Sequence, residues 1–253
     1  MDNNLKLYNN KSVVNWYSNL QEIIDVEELV FKSYASILSS GFVLDIGIGG
    51  GRTTRYLINK CKAYVGIDYS KQFTNVVKAS FPATDIRNLD ARNLSDFDSN
   101  TFDFVNFSFN GIDYVNLKDR EQILLEINRV LKPNGVFFFS THNKSHVSFN
   151  MQPWNDRSNL FFTRIKDFIK IFPFYLRKML NKKMEVNENE FSIINDSAHN
   201  YRLMTFYTKP AFLIEQLENN GYCNIELYSK KSKIQNFEQL DDWIFCTCKK
   251  LSS

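Results

Sequence analysis

A glycine-rich turn after a short apolar run is the stretch of this sequence best suited to binding a ligand. The run Phe42–Ile46 reads as a buried strand of a parallel sheet. Gly47 and Gly49 open a group of four glycines within five residues, ahead of a helix predicted to begin at Arg52. Glycines at such a turn let a ligand lie against the main chain, and the new helix offers unpaired amide groups. A small ligand is therefore expected at this corner.

The spacing of these glycines bears on which ligand binds. A dinucleotide fingerprint needs G-x-G-x-x-G, and a phosphate-binding loop needs Gly-Lys-Ser/Thr. Here Arg52 follows Gly51, so the third glycine is missing and no lysine is present. Asp45 stands two residues before Gly47, and its carboxylate suits a cation or a hydrogen-bond donor better than a pyrophosphate. These features disfavour an NAD-dependent dehydrogenase. A loop that merely needs positive φ is the plain alternative.

An acidic residue ends the second predicted strand. Asp68 closes the run Ala63–Asp68 and follows Asp45 by 23 positions. Acids about 20 residues after a glycine-rich turn bind ribose hydroxyls in nucleotide folds. The alternative is that Asp68 caps the helix predicted over 71–79, a role for which Ser70 is equally suited.

Polar and aromatic residues also follow the predicted fourth and fifth strands. Ser108, Phe109 and Asn110 come after strand 102–107 and are candidate contacts to a ligand, because ligands of open α/β sheets bind outside the carboxyl ends of the strands.

Two of the three histidines of the chain, His142 and His146, follow strand 136–140. Either could deprotonate an attacking hydroxyl or amine, with His142 the first candidate. Alternatively, His142 bonds a local carbonyl. The H-x₃-H spacing lacks a third ligand, so no metal site is predicted.

Three segments together resemble the class I S-adenosyl-L-methionine (SAM)-dependent methyltransferases. Asp45 to Gly51 has the form D-x-G-x-G-x-G of that family's first motif. Asp90-Ala91 resembles its adenine-binding motif, and Arg129 to Gly135 resembles its segment before strand five. The resemblance covers roughly residues 40–140 by motif and the ending of the chain by element order. Within the superfamily it resembles the small-molecule branch, in an uncharacterised bacterial group.

This resemblance implies SAM as the cofactor and assigns roles around it. Asp68 would bind the ribose, the Asp90 carboxylate the adenine amine, and the Ala91 amide the ring. Phe109 would flank the sulfonium, and Tyr17 in the N-terminal region would cover the cofactor. The implied cofactor-binding set is Tyr17, Asp45, Gly47, Gly49, Asp68, Tyr69, Asp90, Ala91, Ser108, Phe109 and Asn110, with His142 and His146 as catalytic candidates.

The expected reaction is methyl transfer to an oxygen or nitrogen of a small polar metabolite, such as a sugar or an acidic or phosphorylated compound. No Asn/Asp-Pro-Pro-aromatic motif follows strand four, which disfavours amino-methylation of nucleic acid. The alternative is a non-catalytic SAM-binding protein or a partner protein associated with a membrane surface.

The elements that would position these residues form an α/β fold with a Rossmann-like seven-stranded sheet whose last strand is antiparallel. We expect one methyltransferase domain in four parts: an N-terminal helical lid (1–40), a SAM-binding core (41–146), a substrate-specificity insertion (147–205) and the C-terminal part of the sheet (206–253). An interruption near Asp25 should divide the N-terminal helices, and Pro173 should break or kink a helix in the insertion.

The insertion is basic and amphipathic. Between residues 157 and 183, eight Lys or Arg stand against Asp167 alone, interleaved with apolar and aromatic residues. A lid with a solvated face is the favoured interpretation. A membrane-surface segment is the less favoured one, and an acidic substrate would also suit the positive charge.

Composition bounds the remaining possibilities. A chain of 253 residues with 43% hydrophobic residues can form a large core. A net charge of +3 gives no general case for nucleic acid, and four scattered cysteines suggest reduced thiols. The polar start of the sequence lacks the apolar region of a secretory signal, so a cytoplasmic location is expected. The sequence does not predict an oligomeric state.

Overall fold

A twisted parallel sheet forms the centre of the protein in a computed structural model, which describes residues 2–146, 165–196 and 201–252. Five strands lie side by side in the order β3-β2-β1-β4-β5, all parallel. They are β1 (Phe42–Ile46), β2 (Ala63–Asp68), β3 (Asp85–Asn88), β4 (Phe102–Phe107) and β5 (Leu131–Asn143). The reversal of strand order between β1 and β4 creates the crevice where open α/β sheets bind ligands.

The far edge of the sheet is antiparallel. Strand β10 (Trp243–Lys250) runs antiparallel to β5, and β9 (Tyr222–Tyr228) runs antiparallel to β10. The seven predicted strands and the antiparallel orientation of the last one are therefore confirmed.

Three further strands were not predicted. They are β6 (Val186–Asn187), β7 (Phe191–Ile194) and β8 (Thr205–Thr208), and they extend the sheet to ten strands. Strand β8 pairs in parallel with β5 at His142 and Asn143, where β5 has run past its pairing with β4. The long β5 thus leaves an edge that the insertion fills.

The helices cover both faces of this sheet. Those before β1 are α1 (Asp2–Tyr8), α2 (Lys11–Asn19), α3 (Asp25–Ser33) and α4 (Ala35–Ser40), so the interruption predicted near Asp25 is confirmed. The others are α5 (Arg52–Leu57), α6 (Lys71–Ser80), α7 (Leu117–Val130), α8 (Ile165–Asn181) and α9 (Pro210–Asn219). Helix α8 continues through Pro173, so of the predicted break or kink the break does not occur.

Alternation along the strands divides the core between the two faces. Val43 and Phe104 pack with helices α3, α4 and α5, whereas Leu44 and Val105 pack with α7 and α9. All four side chains are fully buried. Because both faces are covered, the strands read as continuous apolar runs. Among the described residues, no helix is both long and apolar enough to cross a membrane.

Candidate cofactor and active site

The carboxyl ends of β1, β2 and β4 and the N-terminal helices enclose a cavity of about 480 Å³. This volume lies in the range of small-molecule sites. Nine of the predicted cofactor-binding residues line it: Tyr17, Gly47, Gly49, Asp68, Tyr69, Asp90, Ala91, Ser108 and Phe109. The topology therefore brings together residues that are up to 92 positions apart in the sequence.

The glycine-rich turn is a tight floor for this cavity. Gly47 has φ +66° and donates its N–H to the Ile67 carbonyl at 2.8 Å. A Cβ at Gly47 would lie 2.9 Å from the Phe107 ring, and one at Gly50 would lie 2.4 Å from the Tyr17 carbonyl oxygen. Glycine is thus required at Gly47 both for its conformation and for its space.

Asp68 is fixed at the end of β2 with both carboxylate oxygens occupied by amides. Oδ2 accepts from the Gly49 N–H at 3.0 Å and Oδ1 from the Ser70 N–H at 2.8 Å. Burial raises the pKa of Asp68 to about 6, against the lowering effect of those two amides. Ser70, not Asp68, caps α6, since its hydroxyl accepts from Phe73 N–H. The carboxylate therefore faces the cavity with lone pairs still available to hydroxyl donors.

Asp45 lies beneath the turn rather than in the cavity. Its Oδ2 accepts from the hydroxyls of Thr53 at 2.7 Å and Tyr64 at 2.8 Å, and its Oδ1 from the Asn106 amide at 2.6 Å. The side chain is fully buried and does not line the cavity. The direct ligand contact expected of Asp45 is therefore not supported, because three neighbouring side chains hold its carboxylate inside the fold. Its burial raises its pKa, while those donors lower it.

Asp90 faces the cavity with its carboxylate already engaged. Arg92 donates to it from the main chain at 3.0 Å and from the guanidinium, and Arg92 also reaches Asp119 at 3.1 Å. Burial raises the pKa of Asp90, but the hydrogen bonds from Arg92 outweigh it and hold the pKa below its ordinary value. Asp90 is therefore ionised at neutral pH and can accept from a further donor.

Four tyrosines roof the cavity. Tyr8 and Tyr17 come from helices α1 and α2, Tyr69 follows β2, and Tyr114 follows the loop after β4. The Tyr8 ring lies 6.1 Å from Tyr17, 6.0 Å from Tyr69 and 5.8 Å from Tyr114, centroid to centroid. All four rings line the cavity. Burial raises the pKa of Tyr17 to about 12, so its phenol is neutral at physiological pH. Tyr114 was not predicted as a site residue, and Tyr8 lies in the predicted N-terminal lid (1–40).

A buried ion pair ties helix α3 to the end of the glycine-rich turn. Arg52, at the start of α5, donates from Nη2 to Oε1 of Glu27 on α3 at 2.7 Å, and from Nη1 to Oε2 of the same carboxylate. Nη2 also donates to Ser108 Oγ at 3.2 Å, and the guanidinium lies 5.1 Å from the Phe109 ring centroid. Arg52 lines the cavity but is neutralised by Glu27. Neither residue was predicted.

The loop after β4 turns sharply, so that Phe109 and Asn110, both predicted to contact the ligand, point in different directions. Phe109 and Asn110 have φ +58° and +57°, a conformation that disfavours most side chains. Phe109 lines the cavity, whereas Asn110 is turned away and buried, with its N–H donated to Ser140 Oγ at 2.8 Å. The expected contact of Asn110 with the ligand is not supported, because its amide nitrogen lies 3.2 Å from His142 Nε2 instead.

His142 is held by a buried acid that the sequence reading missed. Its Nδ1 and its main-chain nitrogen each lie 2.7 Å from Asp113 Oδ2. Arg120 and Thr141 donate to Asp113 Oδ1, each at 2.6 Å. Asp113 and Arg120 are fully buried.

Neither predicted catalytic histidine lines the cavity. The His142 ring instead lies 4.9 Å from the ring of Tyr207. His146 is half-buried after β5 and donates its main-chain N–H to the Asn143 carbonyl at 3.4 Å. Asn110 belongs to the loop that borders the cavity, and its side-chain amide covers His142 Nε2.

The sequence of the core matches that of a known family. Residues 44–139 match the methyltransferase domain family. This stretch contains the glycine-rich turn, Asp68, Asp90-Ala91 and the loop after β4. The core of this chain is therefore similar to a methyltransferase domain.

Individual relatives are similar over about half of the chain. A probable S-adenosylmethionine-dependent methyltransferase of Mycolicibacterium smegmatis is 31% identical over 117 residues, covering 46% of this chain and 44% of the relative. An uncharacterised protein of Methanocaldococcus jannaschii is 32% identical over 135 residues, covering 53% and 48%. This chain therefore spans about half the length of the curated relatives it matches.

Solved methyltransferases share the fold over nearly the whole chain. A SAM-dependent methyltransferase from Methanosarcina mazei has a TM-score of 0.59 at 18% identity, covering 88% of this chain and 98% of that structure. The Burkholderia thailandensis 1,6-didemethyltoxoflavin N1-methyltransferase, solved with S-adenosylhomocysteine, has a TM-score of 0.53 at 12% identity, covering 90% and 80%. The TM-scores show a common fold, and at these identities they show the fold alone.

The walls of the cavity fit SAM, the cofactor that the sequence resemblance implies. A ribose needs a hydrogen-bond acceptor, and Asp68 presents one at the strand end. An adenine amine needs a second acceptor, which Asp90 supplies beside Ala91. The sulfonium needs an apolar or aromatic surface, and Tyr17 and Phe109 provide rings 6.2 Å apart.

Proposed function

We propose that this protein is a methyltransferase that transfers the methyl group of SAM to an oxygen or nitrogen atom of a small polar molecule. The observation that carries this proposal is Asp68. Its carboxylate is fixed by the Gly49 and Ser70 amides at the cavity wall, within reach of a ligand lying on the glycine-rich turn. Such an acceptor suits a ribose diol and opposes a pyrophosphate.

The residues of the chain would divide the work as follows. Asp68 accepts from the ribose hydroxyls, Asp90 accepts from the adenine amine, and the Ala91 N–H donates to the adenine ring. Gly47 and Gly49 let the main chain approach the ligand, while Tyr69 covers it. When bound, SAM supplies an electrophilic methyl on a sulfonium. Holding the acceptor in line with that methyl contributes roughly 7–11 kcal/mol of barrier reduction at best.

The charge of the cavity favours an acceptor without a phosphate. Both arginines of its described lining are paired with carboxylates, Arg52 with Glu27 and Arg92 with Asp90 and Asp119. A phosphorylated substrate would have to compete with those pairs. The aromatic roof formed by Tyr8, Tyr17, Tyr69 and Tyr114 suits instead a neutral acceptor or an amine.

His142 stays our proposed general base, with a condition set by the geometry. A base must come within about 2.6–3.2 Å of the proton it removes. His142 Nε2 is now covered by the Asn110 amide, so an acceptor would have to take that position. A neutral amine would need no base at all. His146 is the second candidate.

Calorimetric titration with SAM, S-adenosylhomocysteine and NAD tests the cofactor. We expect micromolar binding of both adenosyl ligands and none of NAD. Transfer of a labelled methyl group from SAM to members of a panel of phenols, amines and sugars then tests the reaction. Binding of NAD alone would overturn the assignment, and SAM binding without transfer to any acceptor would favour a non-catalytic SAM-binding protein.

A further inference from the structure

Exposed apolar side chains are concentrated on one short part of the molecule. Within the described chain, thirteen large apolar residues are exposed, and six of them lie between residues 172 and 186. This region comprises the second half of α8 and the turn that follows it. Isolated exposed apolar residues are common in folded proteins, but a cluster of this kind marks an interaction surface.

The spacing places several of these residues on one side of the helix. Leu176, Met179 and Leu180 stand at positions i, i+3 and i+4 and are 44%, 56% and 62% exposed. Met184, 49% exposed, follows in the 3₁₀ turn Lys182–Met184. Residues at this spacing share one helix face. We call these four residues the α8 apolar face.

The other side of α8 is attached to the body of the protein. Lys178 donates from Nζ to the Asn195 carbonyl at 3.1 Å and lies over the ring of Tyr201. The Asn195 amide donates in turn to the Leu203 carbonyl at 2.7 Å. Leu203 packs in the same cluster as Tyr8, which lines the cavity. The helix is thus held with its apolar face outward. Asn195 and Leu203 connect it to the wall of the cavity.

The segment of sequence that contains most of this face is rich in Lys and Arg. The sequence between residues 157 and 183 carries +7, whereas the whole chain carries +3, so the rest of the chain carries −4. Lys182 and Lys183, beside the apolar face, are both exposed. A second copy of this chain would bring the same positive segment against itself, which disfavours self-association through this face.

We propose that α8 docks the protein onto an anionic lipid surface. An amphipathic helix with an apolar face and flanking Lys and Arg lies in the plane of the interface, with its apolar side chains at the acyl boundary. The basic residues then meet the negative headgroups, whose field acts within a Debye length of the surface. Docking of this kind needs no membrane-spanning helix, and it does not depend on the proposed methyl transfer.

Vesicle co-sedimentation of the full chain tests this proposal. The probes are vesicles of phosphatidylcholine alone and of phosphatidylcholine mixed with phosphatidylglycerol, at low and at high salt. We expect binding to the mixed vesicles at low salt, with a large loss at high salt or on neutral vesicles.

Matched variants separate the apolar and the charged contributions. The Leu176→Ser/Leu180→Ser double variant should lower the vesicle partition coefficient by about tenfold or more, because two inserting side chains are lost. Leu125→Ser on α7, where the leucine is 52% exposed, should leave it unchanged. Lys182→Gln/Lys183→Gln should weaken binding by about fivefold per lysine. Lys71→Gln/Lys78→Gln, at two exposed lysines of α6, should weaken it less.

Three results would overturn the proposal. One is absence of binding to the mixed vesicles by a protein that is folded by circular dichroism. Another is equal loss of binding in the Leu125 variant and the α8 variant. The third is a dimer in sedimentation velocity, without vesicles, that the Leu176→Ser/Leu180→Ser variant dissociates. Because none of these measurements uses SAM, they can fail while the cofactor assignment stands.

Discussion

Asp113 holds His142 by two contacts of 2.7 Å, one to the ring Nδ1 and one to the main-chain nitrogen, both from the same carboxylate oxygen. A carboxylate only accepts, so Nδ1 carries a proton and, in the neutral ring, Nε2 carries the lone pair. Arg120, fully buried, fixes the other carboxylate oxygen at 2.6 Å. Asp113 therefore sets the tautomer that a general base acting through Nε2 requires.

The tautomer of His142 is our first prediction. In ¹⁵N–¹H multiple-bond spectra at a pH where His142 is neutral, we expect its Nδ1 to be protonated and its Nε2 unprotonated. The chain has three histidines, so His142→Gln assigns the signals and His146→Gln should leave those of His142 unchanged. A neutral His142 protonated at Nε2 in the wild-type protein would contradict the assignment.

Removing the acid should also destabilise the fold. Asp113→Ala leaves the Arg120 guanidinium buried without its carboxylate, a change that costs about 3–5 kcal/mol in comparable buried pairs.

The sheet and the cofactor corner were largely predictable from the sequence, whereas the contacts around His142 were not. The position of Asp68 at the end of β2 could be predicted from local sequence, because an apolar run that ends in an acid indicates both the strand and the polar residue at its end. Asp113 lies in a short 3₁₀ turn, Gly111–Asp113, and meets its partners only through tertiary packing, because His142 is 29 residues away. A buried acid in a turn gives no periodic signal of its own.

The same limit explains two other misses. Strands β6 to β8 are two to four residues long, too short for alternation to show. Glu27 lies in the first turn of α3, where acids are common, and only the placement of α3 against α5 pairs it with Arg52. Conversely, the first-motif resemblance correctly located the turn, but it could not reveal that Asp45 is turned inward.

SAM affinity should depend on pH through Asp68. Burial raises its pKa from 3.8 to about 6 in the folded protein without ligand. Because ribose hydroxyls donate to the ionised form, affinity should fall as pH drops below about 6, approaching tenfold per unit. Calorimetry between pH 5 and pH 7.5 measures this dependence. Asp68→Asn should bind SAM about ten- to a hundredfold more weakly, and its affinity should no longer depend on pH in this range. Asp85→Asn, on the exposed edge strand, should keep the wild-type affinity and its pH dependence.

The same group should affect the stability of the protein without ligand. Its folded pKa lies above the ordinary value, so the folded state binds the proton more tightly than the unfolded chain does. The stabilisation from Asp68 is therefore complete below about pH 4 and is lost as pH rises through about 6. In chemical denaturation, Asp68→Asn should show a smaller loss of unfolding free energy over this window than wild type. A loss equal to that of wild type would mean that the pKa of Asp68 is not raised.

Breaking the buried Glu27–Arg52 pair should destabilise the protein far more than breaking the surface pair Glu28–Lys32. Glu27 is fully buried and Arg52 is 8% exposed, so Glu27→Ala leaves a buried guanidinium unpaired and should cost about 3–5 kcal/mol. Glu28, one residue later, pairs with Lys32 at 2.8 Å on the surface, and Glu28→Ala should cost at most about 1 kcal/mol. Urea denaturation of the two variants measures both values. Equal costs would show that Arg52 finds water or another partner when Glu27 is lost.

Gly50 should be required for the seating of α2 over the cavity. A Cβ at this position would lie 2.4 Å from the Tyr17 carbonyl oxygen and 2.5 Å from the Ser18 main chain, and neither backbone can yield without moving the helix. In Gly50→Ala we expect faster hydrogen exchange of the α2 amides and weaker SAM binding, because Tyr17 forms part of the roof.

Gly49→Ala is the matched control in the protein without ligand. Its Cβ would lie 3.9 Å from the nearest atom, Tyr17 Cδ1, so only the strain of φ +51° is added, about 1–2 kcal/mol. Unchanged α2 exchange in Gly50→Ala would show that the turn, rather than the helix, moves to accommodate the methyl group.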